Sequence, residues 1–200
     1  MKSRDLWIIG LGGNTPSEAG DPAATLEAAL GMFGERGLRI VARSQWWRSA
    51  AYPPGSGPDF ANGVAAVEAD GPLEALLAIL HAIEAAWGRE RRERYAPRPI
   101  DLDLICRGAL TAPDAETART WISLPKDQWT KRTPEQAILP HPRLQDRAFV
   151  LGPMREIAPD WRHPILGRTT EEMWRALPAE ERAGARPMAA PGGGDASAAD

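Results

Sequence analysis

Apolar residues in this chain recur with two periods, one of about two residues and one of about 3.6. A compact run, Leu6-Trp7-Ile8-Ile9-Gly10-Leu11-Gly12, ends on glycines and predicts a buried first strand. Asp21 followed by Pro22 reads as a helix N-cap with proline at the first helical position, and Leu26, Ala29, Leu30 and Phe33 continue at helical spacing. Residues 38–48 predict a second strand, with Ile40 and Ala42 facing opposite Val41 and with Trp46 and Trp47 as packing residues. The loop 49–59 holds three prolines and two glycines and ends at Phe60-Ala61-Asn62-Gly63, the kind of connection on which binding residues concentrate. A third strand is expected over 64–68. Gly71-Pro72 opens a second helix whose apolar stripe is Leu73, Leu76, Leu77, Leu80, Ile83 and Trp87. In a fourth strand Ile100, Leu102, Leu104 and Cys106 alternate with Asp101, Asp103 and Ile105.

The order β-α-β-β-α-β predicts an α+β fold of ferredoxin-like, split βαβ topology with an antiparallel sheet. Residues 107–137, broken by Pro113, Pro125 and Pro134 and carrying Trp121 and Trp129, read as an insertion after the fourth strand, an excursion outside the core. C-terminal helices follow, one near 147–159 and one near 169–177. One domain is expected over 1–178. The segment 179–200 is too poor in apolar surface to fold by its own pattern and is expected to be a disordered tail.

Composition narrows the chemistry. The chain has 200 residues, 43% hydrophobic and 26% charged, ordinary for a soluble domain with a real core. Its net charge of −3 argues against broad electrostatic binding to nucleic acid or anionic membrane. A single cysteine, Cys106, excludes an internal disulfide and a Cys-rich zinc site, and its place on the fourth strand makes it a core residue. No apolar run has the length of a signal or a membrane span, so a cytoplasmic location is expected. Gly10-x-Gly12 is not a dinucleotide fingerprint, because the third glycine would fall on Thr15, and no P-loop pattern occurs. Asn14, after Gly12-Gly13, offers its amide either to a ligand or to its own turn.

The strongest candidate site is Arg98-Pro99-Ile100-Asp101-Leu102-Asp103. Residues i and i+2 of a strand share a face roughly 6.5–7 Å apart. Two carboxylates at that separation repel by about 2–2.5 kcal/mol at an effective dielectric near 20. A divalent cation reverses the sign, and Mg²⁺ favours one or two carboxylates together with substrate phosphates. Just ahead, Arg89, Arg91, Arg92, Arg94 and Arg98 outweigh Glu90 and Glu93 to give a local charge of +3. Guanidinium forks suit phosphate oxygens, so the pair of features favours nucleotide chemistry over a merely solvated face.

These pieces resemble the hydroxymethyldihydropterin pyrophosphokinase family. The matching stretches are Leu11-Gly12-Gly13-Asn14, Pro58-Asp59-Phe60-Ala61-Asn62, Ile83-Glu84 with Gly88-Arg89-Glu90-Arg91, Pro97 to Asp103, and Leu139-Pro140-His141-Pro142-Arg143 to Arg147-Ala148-Phe149. The resemblance implies pyrophosphoryl transfer from ATP to a pterin alcohol with release of AMP, in folate biosynthesis. It implies two Mg²⁺ ions on Asp101 and Asp103, triphosphate contacts from Arg89 and Arg91, and a nucleotide and phosphate path lined by Arg98, His141 and Arg147. Glu84 falls where the family places a nucleotide-side residue. Phe60 and Phe149 would sandwich the pterin, with Asn62 and the backbone near Ser49 reading its hydrogen-bonding edge. Small-molecule substrates and a monomer are expected, with no nucleic-acid or membrane partner. Residues 107–137 exceed the short connection typical of the family, and no adenine-facing residue is assigned there. Two other classes fit parts of the pattern. One is a catalytically silent pterin- or nucleotide-binding protein. The other is an RNA-binding module, which would need aromatics on the sheet face where Asp101 and Asp103 stand.

Overall fold

Strand β1 (Trp7–Gly13) runs between β4 (Phe60–Glu68) and β5 (Asp101–Arg107), antiparallel to both. The computed structural model describes residues 6–51, 55, 57–88, 97–128 and 131–189. The six-stranded sheet has the order β5-β1-β4-β3-β6, with β3 at Trp47–Ser49, β6 at Ala185–Pro187, and β2 (Arg39–Arg43) also paired to β4. Helices α1 (Pro22–Gly31) and α2 (Leu73–Ala86) complete the expected ferredoxin-like α+β core.

One face of the sheet carries the larger apolar core. Trp7, Ile9 and Leu11 of β1 and Leu102 and Leu104 of β5 pack there with Leu26, Leu30 and Phe33, and with Leu76, Leu80 and Ile83 of α2. Asp21 caps α1 by accepting the Ala24 amide at 2.8 Å, as its place before Pro22 predicts. On the opposite face Ile8, Val64, Ala66 and Ile105 pack against Leu151 and Met154 of α4 (Ala148–Ile157) and against Trp174 of α5 (Thr170–Ala176). Thr169 and Glu172 form the capping box that starts α5.

Several expectations are corrected by pairing partners far away in sequence. The strand expected over 38–48 is two strands. Its register slips between Ile40 and Ala42, so Ile40 joins the first core and Ala42 the second, on opposite faces instead of one. Between β2 and β3, Ser44 Oγ accepts the Val64 amide at 3.0 Å, which satisfies β4 across the break. Trp46 and Trp47 are indeed packing residues, one in each core. The third strand begins at Phe60 rather than Val64, because residues 60–63 find partners in both β1 and β3. In β5 a bulge opposite Ile8 and Ile9 puts Ile105 and Cys106 together in the second core. Cys106 is therefore fully buried, but on the face opposite Leu102 and Leu104. Burial holds its thiol well above the ordinary pKa.

Residues 179–189 depart from the expectation of a disordered tail. A short helix α6 (Ala179–Gly184) leads into β6, which pairs with β3, and Met188 donates its amide to the Trp46 carbonyl at 2.8 Å. Residues 190–200 lie outside the described residues. The insertion carries a helix of its own, α3 (Ala115–Ile122), and buries Ala112 and Ala118. Ala112 pairs with Leu139 through two backbone hydrogen bonds of 3.0 Å, so the excursion returns to the sheet edge.

Candidate active site

The site is a consequence of glycine spacing in β1. In register, Gly12 lies between Asn62 and Asp101, and Gly10 lies between Val64 and Asp103. Directly paired residues share a face, and neighbouring strands are about 4.8 Å apart. Asn62 and Asp101 thus flank a strip about 10 Å wide on which Gly12 raises no side chain. A Cβ at Gly12 would stand 3.6 Å from Asn62 Oδ1 and 4.0 Å from the Phe60 ring, in ordinary contact with both, so glycine is what keeps a side chain off that ground. At Gly13 glycine is forced, since a Cβ would lie 2.3 Å from the Pro99 carbonyl oxygen. That close approach seats the 97–99 segment against the end of β1. Buried Asn14 secures it: its backbone amide donates to the Arg98 carbonyl at 2.9 Å, its Oδ1 accepts the Arg98 amide at 2.9 Å, and its Nδ2 donates to the Pro58 carbonyl. The amide of Asn14 thus ties two site-bearing segments together.

Each carboxylate has an arginine beside it. Arg98 Nη1 lies 3.3 Å from Asp101 Oδ2, and Arg147 Nη1 lies 3.7 Å from Asp103 Oδ2. Both arginines also stand over a phenylalanine: Arg98 Cζ is 6.0 Å from the Phe60 ring centroid, and Arg147 Cζ is 5.5 Å from that of Phe149. Phe149 is 36% exposed, too open to be a core residue. The residues on either side of it are anchored on different strands. Arg147 reaches Asp103 on β5, and Gly152 packs so tightly on Trp47 of β3 that a Cβ would lie 2.6 Å from its ring.

Asn62 is buried and its orientation is set by its donors. Nδ2 gives hydrogen bonds to Ser49 Oγ at 3.0 Å and to the Phe60 carbonyl at 3.3 Å. A carbonyl can only accept, so Nδ2 must face it, and Oδ1 is left as the acceptor toward Gly12. The Ser49 hydroxyl thus helps to hold Asn62.

His141 and Glu84 both complete the outer edge of β5. Glu84, buried on α2, accepts the Leu102 amide at 2.7 Å, between the two aspartates. The His141 amide donates to the Ile105 carbonyl at 2.8 Å. The ring Nδ1 of His141 accepts the Arg143 amide at 3.2 Å, so in the neutral ring the proton sits on Nε2, which is 3.4 Å from Arg147 Nη1. Two donors then face one another. Burial, followed by the charges of Arg147 and Arg143, holds the His141 pKa well below its usual value. An anionic oxygen received between Nε2–H and the guanidinium would turn this mismatch into two hydrogen bonds. Nothing in the sequence pattern marked Arg143 for this role, because it acts through its backbone amide.

Among the described residues no group of three or more His, Cys, Asp or Glu forms a metal cage. Two carboxylates alone suit a hard cation that arrives with phosphate oxygens, which is how Mg²⁺ is commonly held. The structure thus brings together Asp101, Asp103, Arg98, His141, Arg147, Phe60, Asn62, Ser49 and Phe149, with Glu84 supporting from behind the strand. Arg89 and Arg91 lie outside the described residues.

Comparison with known proteins identifies the family. The profile of the family described as 7,8-dihydro-6-hydroxymethylpterin-pyrophosphokinase matches residues 8–159. The 2-amino-4-hydroxy-6-hydroxymethyldihydropteridine pyrophosphokinase of Synechocystis sp. is 36% identical over 165 residues, covering 81% of this chain and 71% of the relative. The protein of the same name from Pseudomonas aeruginosa is 36% identical over 167 residues, covering 82% of this chain and 89% of the relative. The crystal structure of wild-type Plasmodium falciparum HPPK-DHPS superposes with a TM-score of 0.58 at 14% identity; it covers 86% of this chain, which spans 44% of that longer one, and the likeness speaks to the fold alone. The chain belongs to the 7,8-dihydro-6-hydroxymethylpterin-pyrophosphokinase family, a family of transferases.

Proposed function

We propose that this protein transfers a pyrophosphoryl group from ATP to 6-hydroxymethyl-7,8-dihydropterin in a Mg²⁺-dependent reaction of folate biosynthesis. One observation carries the reading: Asn62 and the Asp101–Asp103 pair share one sheet face across a strip that Gly12 keeps clear. A flat heterocycle over that strip would have Phe60 and Phe149 for stacking and Asn62 Oδ1 for its polar edge. Its hydroxymethyl group would then lie toward the aspartates.

The substrate hydroxyl oxygen forms a bond to the β-phosphorus, the bond from that phosphorus to the α-bridging oxygen breaks, AMP leaves, and the hydroxyl proton is lost to solvent. No protein nucleophile is required, and the chain's part is alignment and charge neutralisation. Asp101 and Asp103 would hold Mg²⁺, whose chemistry there would be to neutralise charge on the phosphates. Arg98 and Arg147, which now neighbour those carboxylates, would turn their donors to phosphate oxygens. Arg98 Nε, buried and without a hydrogen-bond partner among the described residues, is an unspent donor for that purpose. His141 Nε2–H adds another, and Arg89 and Arg91 are proposed to complete the triphosphate contacts. The same reading takes the protein as a cytoplasmic monomer acting on small molecules without a nucleic-acid partner. Among the described residues no helix is long and apolar enough to cross a membrane.

The test is direct. Purified protein incubated with ATP, MgCl₂ and hydroxymethyldihydropterin should yield AMP and the pterin pyrophosphate in equal amounts, and neither without Mg²⁺. Binding of both substrates without AMP would instead identify a silent binding protein.

A further inference from the structure

A cavity of about 260 Å³ adjoins the acidic strand. Part of its lining, Asp103, His141 and Arg143, belongs to the site already described. A second part, Leu77, Leu104 and Ile138, is apolar and comes from α2, β5 and the strand edge. The remainder includes Trp121 and Arg132, which both belong to the 107–137 excursion. Arg132 Cζ lies over the Trp121 ring at 5.3 Å from its centroid, so the two side chains hold one another at the wall. Trp121 is only half-buried there, at the end of α3.

The volume decides what could enter. Pockets enclosing a whole drug-sized ligand measure roughly 300–1,000 Å³, and a nucleoside triphosphate with its phosphates extended needs more than this cavity holds. A single flat base fits. The polar lining is at Asp103, His141 and Arg143, and the apolar and aromatic lining suits a heterocycle. We infer that the 107–137 excursion is a specificity element of the nucleotide site, in which Trp121, braced by Arg132, forms the wall against which the purine base of the triphosphate packs. The inference rests on the phosphoryl-transfer reading above and gives the insertion a role that the core fold does not require.

The experiment compares wild type with Trp121→Ala, Trp121→Phe and Arg132→Ala. Binding is measured by calorimetry for a non-hydrolysable ATP analogue with Mg²⁺, for inorganic tripolyphosphate with Mg²⁺, and for the pterin. Loss of an aromatic stacking partner for a base is expected to weaken the ATP analogue about tenfold in Trp121→Ala. Trp121→Phe should recover most of that loss, and Arg132→Ala should show a smaller one. Tripolyphosphate and pterin affinities should stay within twofold throughout, because neither presents a purine to this wall. Should Trp121→Ala fail to fold, Trp121→Leu, which keeps bulk without an aromatic face, still decides: ATP-analogue affinity equal to wild type in that variant overturns the inference. Equal weakening of the analogue and tripolyphosphate also overturns it, since the wall would then act on phosphates or on the fold. A wild-type protein that binds neither ATP analogue nor pterin would be a different failure, that of the phosphoryl-transfer reading.

Discussion

Glu84 Oε1 accepts the backbone amide of Leu102 at 2.7 Å, from a buried position on α2. Leu102 separates Asp101 from Asp103, and its amide points away from β1, where no strand continues the sheet. A buried carboxylate thus finishes the hydrogen bonding of an edge strand at the point where that strand presents its two acidic side chains. Removing an acceptor from a buried amide costs about 1–3 kcal/mol. Glu84→Ala is expected to lose stability on that scale and to lower kcat, whereas Glu84→Gln, which keeps an acceptor oxygen, should retain most of both. Urea denaturation and steady-state kinetics check this, and equal losses in the two variants would show that charge rather than the accepted bond is what matters.

Asp101→Asn and Asp103→Asn should abolish turnover yet leave the apo-protein nearly as stable as wild type. Each substitution gives up a partly exposed ion pair worth about 0–1 kcal/mol, with Arg98 or Arg147, and also relieves the repulsion between the two carboxylates. Thermal unfolding alongside AMP release measures both halves. A large loss of stability, or near-normal activity, would contradict the assignment.

Phe60→Ala and Phe149→Ala should weaken pterin binding, each by about 0.5–1.5 kcal/mol for the stack beyond area burial, with little change for ATP. Phe149, being exposed, should also be replaceable at almost no cost in stability. Asn62→Ala should lower selectivity for the pterin over other flat rings, and Ser49→Ala should do so more weakly, because the Phe60 carbonyl still holds Nδ2. Titrations with the pterin, ATP and a second heterocycle separate these effects.

A pH effect is expected far from the site. His163 is completely buried; its Nδ1 accepts the Ile165 and Leu166 amides, and its Nε2 has no partner among the described residues. Burial lowers its pKa to about 4. The folded state therefore binds its proton less readily than the unfolded chain does, whose histidine titrates near 6.5. Between about pH 6.5 and 4 the unfolded state holds more protons, so stability rises with pH across that window and is fully present above it. The contribution is on the order of 3 kcal/mol. His163→Asn, which keeps an acceptor for the two amides, should flatten the dependence of the unfolding free energy on pH between 4 and 6.5. An unchanged slope would show that other groups carry the acid sensitivity.

Local pattern alone determined the order of the core elements. The alternation around Asp101, the apolar stripe of α2 and the Asp21-Pro22 start of α1 are each written within a few residues, because a strand or helix buries one face whatever it packs against. The motifs around Asp101 and His141 likewise mark residues that the structure sets close together. Tertiary structure decided what depends on which surfaces meet. Only the register of β1 against both β4 and β5 puts Asn62 level with Asp101, and pairing with β3 pulls Phe60 into the sheet. Asn14 and Arg98, 84 positions apart, are joined because Gly13 lets Pro99 approach. The bulges that move Ala42 and Cys106 to the other face arise in pairing with distant strands, which periodicity does not record. Residues 179–189 fold only because the free edge of β3 receives β6, and Trp121 lines a cavity only because Ala112 returns to Leu139. In each case the stabilising partner is distant in the chain, and a side chain's own neighbours in sequence carry no information about it.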